Sequence, residues 1–393
     1  LLDNIGIHTL LELYKFLLED LIMAVISELM QSYDMAGTAD IFVAEGIHTI
    51  SPSDTPLQLL LPKIQVSSVL AEWIEDELGS LTTTLNHADN LDDSETTIDV
   101  AAGDGALFDT TIDTIIRIDR EYMLVTAVTS DALTVATRPY GSTTAATHAH
   151  GSTIHIVSQV EYEGADGKKA KSRVRTRPSN YVQTFSRTVE VSGIQNAVRM
   201  LGGNTSEVNY QIMVAMKQLA LELEKTLLMG VKSQVGNGSS TYRTMAGLFG
   251  LITSTPDSGA VDEVCLEADI KSIWEAGGVP RVILTTGKLA QDIANLYAER
   301  IKTDIMTTIG GVNVTSIINP LGVGPIAIIP HRLMSAGEYF ILDTSRIALG
   351  YVRPFKMEPL AKDGDSEKRL IIGDYTLELM NANAHAGRHG LTG

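Results

Sequence analysis

Residues 204–230 read NTSEVNYQIMVAMKQLALELEKTLLMG, and the rest of the chain is arranged around them. Val208, Ile212, Ala215, Met216, Leu219, Ala220, Leu223 and Leu227 recur at spacings of three and four. That spacing gathers them into one apolar stripe on an α-helix. Asn204 is placed to cap the first turn, and Glu207, three residues on, suits a capping-box start. Gly230 is expected to end the helix in the left-handed conformation. At 1.5 Å per residue such a helix would be roughly 35–40 Å long, about the width of a domain. A helix of that length with one apolar stripe acts as a beam, and its flanks decide what it carries.

Upstream, Gly202-Gly203 and a short helical piece at 194–201 lead into the beam, preceded by an alternating strand at 182–192. Before that strand, Lys169, Lys171, Arg173, Arg175 and Arg177 occupy every second position. In extended chain, period two puts all five on one face. Either the strip binds a polyanion or it pairs with acidic protein surface. The overall acidity of the chain favours the second reading. The acidic counterpart is at hand in Glu72-Trp73-Ile74-Glu75-Asp76-Glu77-Leu78, on an extended segment at 64–80 or on the same segment of a neighbouring copy. Between the two arms, residues 86–157 change composition. Short alternating runs at 97–100, 115–118, 123–128, 133–136 and 153–157, separated by Gly103, Gly105, Gly141 and Gly151, predict a small all-β module. From Asp89 to Asp131 it carries eleven acidic and two basic residues.

Further upstream, residues 51–56, SPSDTP, form a turn-rich arm followed by an apolar anchor at 57–61. Residues 5–30 read as an amphipathic helix packed against protein, with too many charges for a membrane span. Downstream of the beam, 236–240 is an exposed loop, and from Asp262 the pattern turns α/β. Helices are expected at 266–276, closed by Gly277-Gly278, and at 288–300. Strands are expected at 281–285, 312–318, 326–329, 339–342, 347–351 and 370–380, with an irregular Gly-, Ala- and His-rich tail from 381.

Composition narrows the function. The formal net charge is -18 over 393 residues, which argues against tight wrapping of nucleic acid, since phosphate contacts need a basic surface. The single cysteine, Cys265, can form neither an internal disulfide framework nor a cysteine zinc site. A phosphate loop fails at both Gly-Lys pairs, because Val282 and Tyr162 stand where glycine is required. No nucleophile elbow, dinucleotide fingerprint or HExxH is present. His148 and His150 share a strand face with His155 nearby, but no carboxylate is placed locally to complete a metal shell. These histidines are therefore read as solvated turn residues, and no ligand role is expected of His385 and His389 in the tail. No catalytic, cofactor or metal residues are expected.

The series of motifs resembles the SU10-type phage major head proteins, a branch of the HK97-like capsid proteins. The resemblance rests on SPSDTP at 51–56, Glu72-Trp73 with Asp76 and Leu78, NYVQTFSR at 180–187, ELEK at 222–225 and WEAGGVP at 274–280. It continues through PHRLM at 330–334, Leu342-Asp343-Thr344, Arg353-Pro354-Phe355, EPLAK at 358–362 and GDSEKR at 364–369. The stretch RPYGSTTAATH at 138–148 is similar to a small barrel often inserted into phage structural proteins. The helix at 5–30 is no part of the resemblance.

The resemblance implies an α+β, HK97-like capsid fold. It would comprise an N-terminal helix and arm at 1–62 and an extended loop at 63–192 carrying the β module at about 86–158. A peripheral domain with the spine helix would follow at 193–261, an axial domain at 262–335, and returning peripheral strands with the tail at 336–393. The implied function is a non-enzymatic major capsid protein that assembles as hexamers and pentamers into an icosahedral shell around double-stranded DNA. It would be built in the host cytoplasm and located in the virion. Its partners would be other copies of itself, portal, scaffolding or decoration proteins, and packaged DNA held without sequence preference, with no membrane. Trp73, Glu72, Asp76, Lys169, Lys171, Arg173, Arg175 and Arg177 are the expected contacts between subunits. The alternatives are an encapsulin-like nanocompartment shell, a multidomain hydrolase with a β binding module, and a tail or adhesin component.

Overall fold

A computed structural model describes residues 55–108, 113–161, 163–164, 174–197, 206–236, 241–297, 301–309, 312–318, 321–322 and 324–392, with backbone alone at 301–315. The helix expected at 5–30, residues 51–54 of the arm, Lys169, Lys171, Arg173, the Gly202-Gly203 lead and the Asn204 cap lie outside these residues, as does most of the 236–240 loop. Among the described residues the chain forms two compact units, Phe185–Glu222 with Phe355–Gly373, and Thr55–Thr184 with Leu223–Pro354 and Asp374–Gly393.

The beam is a helix at Glu207–Met229. Val208, Ala215, Leu219, Leu223 and Leu227 are buried along its stripe, whereas Met216, expected in the stripe, is exposed. The expected left-handed stop at Gly230 is not adopted. The amide of Gly230 still donates to the Thr226 carbonyl at 2.8 Å, as in a continuing helix. Glycine is needed there for space, because a Cβ would lie 2.5 Å from the Met245 carbonyl oxygen.

In the larger unit, a seven-stranded sheet has the order Ser254–Pro256, Ala386–His389, Tyr339–Leu342, Val282–Thr285, Pro325–Pro330, Val312–Ile318, Ile301–Ile309. Val282–Thr285 is buried at every position, a strand covered on both faces, and its apolar run Val282-Ile283-Leu284 is what such a position requires. Helices Glu263–Glu275 and Gly287–Leu296 supply Leu266, Ile270, Ile273, Leu289 and Ile293 to the core beside Ile283, Ile326, Ile328 and Ile341. Asp262 caps the first helix by accepting from the Cys265 amide at 2.7 Å. Gly277, at φ 78°, ends it as the sequence predicts.

Two expectations are corrected in this sheet. The tail from 381 is ordered, and Ala386–His389 lies inside the sheet between two partners. The strand Tyr339–Leu342, assigned from sequence to the returning peripheral strands, pairs directly with Val282–Thr285. Strand Ile301–Ile309 went unforeseen; it forms an antiparallel hairpin with Val312–Ile318.

The β module contains every predicted strand. Its six strands run in the order Thr82–Thr84, Thr153–Val160, Asp113–Ile118, Glu121–Thr129, Ala132–Thr137, Thr97–Asp99. A bridge between Leu85 and Val100 joins the first strand to the last and closes the sheet into a barrel. Leu91, Ile98, Ile116, Ile118, Met123, Leu133 and Ile154 fill its interior, so it is a packed core. The chain enters and leaves on the paired strands Thr82–Thr84 and Thr153–Val160, which suits an inserted module.

Candidate assembly surfaces

The two arms that bracket the barrel meet as an antiparallel ribbon. Leu70–Glu72 pairs with Ser179–Tyr181, and Glu75 bridges to Thr176. Farther along, Arg175 Nε lies 3.4 Å from Asp76 Oδ2. The pairing of basic strip with acidic arm thus occurs within one chain, at least at Arg175. That pair is exposed on both sides, so it contributes little to stability. Arg177 and Glu72 are exposed. Trp73 departs from expectation: it is only 7% exposed within its own subunit. Its indole Nε1 donates to Glu75 Oε1 at 2.9 Å, and the same oxygen accepts from the Asn381 amide at 2.6 Å. Trp73 therefore fixes the root of the ribbon and offers little surface to another chain. Three apolar residues beside it on the ribbon are not among the expected contacts. Ile74 is 63% exposed, Leu78 97% and Val174 96%, a set of exposed apolar side chains among the described residues.

Asn180 anchors the ribbon from below. Fully buried, it donates through Nδ2 to the carbonyls of Ala246 and Leu377 at 3.0 and 2.9 Å and accepts from the Ala246 amide at 2.8 Å. The amino-terminal arm has its own anchor. Pro56–Leu60 is a short helix with Leu57 buried. The wholly buried carboxylate of Glu224, on the long helix, accepts from the Leu57 amide at 2.7 Å and the Gln58 amide at 3.2 Å. His331 Nδ1 accepts from the Leu333 amide, so its Nε2 carries the proton and donates to Glu224 Oε1 at 2.9 Å. Three separate motifs of the sequence, at 51–56, 222–225 and 330–334, adjoin or enter this one contact.

Inside the barrel, Glu121 is the hub. Arg138 Nε donates to it at 2.8 Å, the Ala146 amide at 3.0 Å, and His148 Nε2 lies 2.9 Å away. Burial pulls the Glu121 carboxyl upward, but these hydrogen bonds outweigh it and hold the group below the usual carboxylate range. Arg138 also donates to the carbonyls of Asp92, Glu95 and Ala146. His148, read from sequence as solvated, is buried with Asp119 at Nδ1 and Glu121 at Nε2. Both ring nitrogens are engaged, and its carboxylates lie 27 and 29 residues away in the chain, too far for a local motif to mark them. Among the described residues no group of three or more metal-ligating side chains is assembled, and no helix is long and apolar enough to cross a membrane. In the smaller unit, an open groove of about 600 Å³ runs between 187–195 and 207–218, lined by Arg187, Glu190, Gln195, Glu207, Gln211 and Gln218.

The chain thus presents a ribbon with exposed apolar side chains, a clamped arm and an inserted barrel. The model of the SU10 major capsid protein family matches residues 30–392, and the chain belongs to that family. It is thus a phage major capsid protein, a structural subunit of the icosahedral shell located in the virion, and not an enzyme. No curated protein matches the sequence. Among solved structures, the chain is similar to the capsid of a native GTA particle, with TM-score 0.48, 8% identity and coverage of 93% of this chain and 100% of that one. It is similar at TM-score 0.47 and 8% identity to the SrpI encapsulin of Synechococcus elongatus PCC 7942, covering 93% and 96%. The major capsid and decoration proteins of phage G give TM-score 0.42 and 8% identity over 93% and 99%.

Proposed function

We propose that this capsid protein works by an HK97-like overlap of subunits, assembling as hexamers and pentamers around double-stranded DNA. The ribbon at 69–81 and 174–181 reaches over a neighbouring copy in this reading. The observation that carries it is the exposure of the apolar side chains Ile74 and Val174, with Leu78 beside them, among the described residues. Burying such side chains gives roughly 1.5–3 kcal/mol each, and a closed shell repeats that gain at every interface. Glu72, Asp76, Arg175 and Arg177 form the polar rim of the same contact, joined by Lys169, Lys171 and Arg173, while Trp73 and Asn180 set the ribbon's direction. The seven-stranded sheet with its two helices serves as the axial domain, now including 339–342 and 386–389, and the long helix as the spine. The barrel stands outside this contact and is free to meet decoration proteins, as in phage G, where such partners accompany the major capsid protein. Portal and scaffolding proteins complete the partners, and assembly takes place in the host cytoplasm. The net charge of -18 suits a container that must release its DNA.

Negative-stain microscopy of the purified protein tests the reading. Closed shells are expected, and Leu78→Asp with Val174→Asp should leave soluble subunits. Only monomers or dimers under every assembly condition would sink it. An encapsulin-like role would show instead as cargo protein rather than genome inside the particles.

A further inference from the structure

The strand Ala386–His389 comes after all of its partners in the chain, yet it lies inside the sheet. Ser254–Pro256 runs parallel on one side, in register Ser254 with Gly387 and Pro256 with His389. Tyr339–Leu342 runs antiparallel on the other, with Phe340 opposite Gly387 and Tyr339 opposite Arg388. Until residues 386–389 arrive, two sheet edges face each other unpaired.

The slot between them is selective. At 387 a Cβ would sit 2.6 Å from the Phe340 ring, so the position takes glycine. At 388 the guanidinium gives two N–H bonds to Asp269, Nε to Oδ2 at 3.0 Å and Nη2 to Oδ1 at 2.8 Å, and a third from Nη1 to Asp257 Oδ2 at 2.8 Å. Tyr339 donates to the same Asp269 at 2.6 Å. A planar fork makes these bonds together; an ammonium on a flexible stem does not. His389 Nδ1 meets Ser254 Oγ at 2.8 Å. Gly390 has φ +85°, a left-handed conformation, with its Cβ direction blocked at 2.5 Å by the Asp257 carbonyl oxygen. Leu391 then enters the hydrophobic core while its amide donates to Gly337 at 3.0 Å. The slot therefore reads the sequence Gly-Arg-His-Gly-Leu in order.

We propose that residues 385–392 are a strand-insertion key. The other strands of the sheet and the helix bearing Asp269 form a receptor slot, and docking of the key completes the subunit and licenses it for shell assembly. The licensing step rests on the shell reading above; the slot does not. The physical basis is the order of contact formation. Pairings close in sequence form sooner than distant ones, and the key's carboxylate partners lie 119 and 131 residues away. A subunit without the docked segment lacks the strand that joins Ser254–Pro256 to Tyr339–Leu342.

The test uses the complete chain with a protease site inserted after Asn383, which is exposed, folded first and cut afterwards. The cut segment should stay bound and exchange with an excess of synthetic peptide covering 384–393. Peptides carrying Arg388→Lys or Gly387→Val should bind at least about tenfold more weakly. Subunits stripped of the segment should form no shells by electron microscopy until the natural peptide is added. Equal binding of natural and variant peptides overturns the slot. Release of the segment with no change in melting temperature does the same. Shell formation by stripped subunits overturns the licensing step alone. If the uncut protein forms no shells, the shell reading fails, and peptide discrimination still decides the slot. Should stripping unfold the subunit, amide exchange in uncut Gly387→Val gives the answer. Faster exchange confined to 254–256 and 339–342 supports the slot, and unchanged exchange refutes it.

Discussion

The barrel and the seven-stranded sheet each bury an arginine against carboxylates, but they draw the partners from different distances along the chain. In the barrel, Arg138 meets Glu121 at a separation of 17 residues, and His148 meets Glu121 at 27. In the sheet, Arg388 reaches back 119 residues to Asp269 and 131 to Asp257. The first lock closes inside one insertion whose ends leave on paired strands. The second closes only after most of the chain is made. The same chemistry thus appears in two settings: one lock lies wholly within the inserted module, and the other ties distant segments into one sheet.

The largest effect is expected from breaking the barrel lock. Arg138→Ala leaves the Glu121 carboxylate, 1% exposed in its side chain, without its main partner. Stranding a buried charge in this way costs about 3–5 kcal/mol. Calorimetry should show a separate, earlier transition for the barrel, with the remaining transition unmoved. If the whole chain instead melts as one lower transition, the barrel is not self-sufficient and the comparison fails. Arg388→Ala should cost about 3 kcal/mol, toward the lower end because its side chain is 12% exposed. Here urea denaturation should shift the midpoint of the sheet while the barrel's transition stays in place.

The same difference in distance explains what could be read from the sequence. The barrel strands at 97–100, 115–118, 123–128, 133–136 and 153–157 were all legible, because alternation and turn glycines are local signals. The long helix was legible for the same reason, apart from Met216 and the conformation of Gly230. The strand at 386–389 was not. Gly-Arg-His-Gly has no alternation, and only Phe340, Asp269 and Asp257, far away, make glycine and arginine the right residues there. The assembly surface was half legible. The charged arms announced themselves by composition, and Arg175 does meet Asp76. Which way Trp73 points depends on Glu75, two residues on, whose carboxylate is in turn held by Asn381 across the fold, a contact no local pattern encodes.

Acid should separate the two regions in turn. Burial pushes His385 down to about 4, against the attraction of Asp343, and its Nδ1 accepts from the Asp343 amide as a neutral ring. The unfolded chain takes up a proton near pH 6.5 that the folded chain refuses. The contribution of neutral His385 is complete above that pH and is lost progressively as pH falls toward 4. By pH 5.5 the loss is about 1.4 kcal/mol. Glu121 responds in the same direction but in a lower window: its depressed carboxyl contributes fully above the usual carboxylate range and loses that contribution only as pH falls through its lower folded value. Between pH 6.5 and 5 the sheet should therefore weaken while the barrel does not. Urea midpoints across that window check this, and His385→Asn should flatten the slope. A barrel that softens first would reverse the assignment.

The smallest effect on the isolated subunit is expected at the ribbon, and there the comparison turns to function. Arg175 and Asp76 are 68% and 57% exposed, so Arg175→Glu should change subunit stability by less than about 1 kcal/mol. The buried locks hold one chain together, whereas the ribbon's charges lie exposed among the described residues. If they form the rim of an inter-subunit contact, Arg175→Glu should reduce shell yield by electron microscopy while the melting temperature of free subunits stays put. Restoring the pair in reverse, Arg175→Glu with Asp76→Arg, then decides which partner matters. Recovery of shells means that the pair acts by shaping the ribbon of its own chain. Continued failure means that Arg175 meets an acidic group on a neighbour, which the swap cannot repair. Normal shells from the single variant would remove the charged arms from the assembly mechanism and leave Ile74, Leu78 and Val174 to carry it.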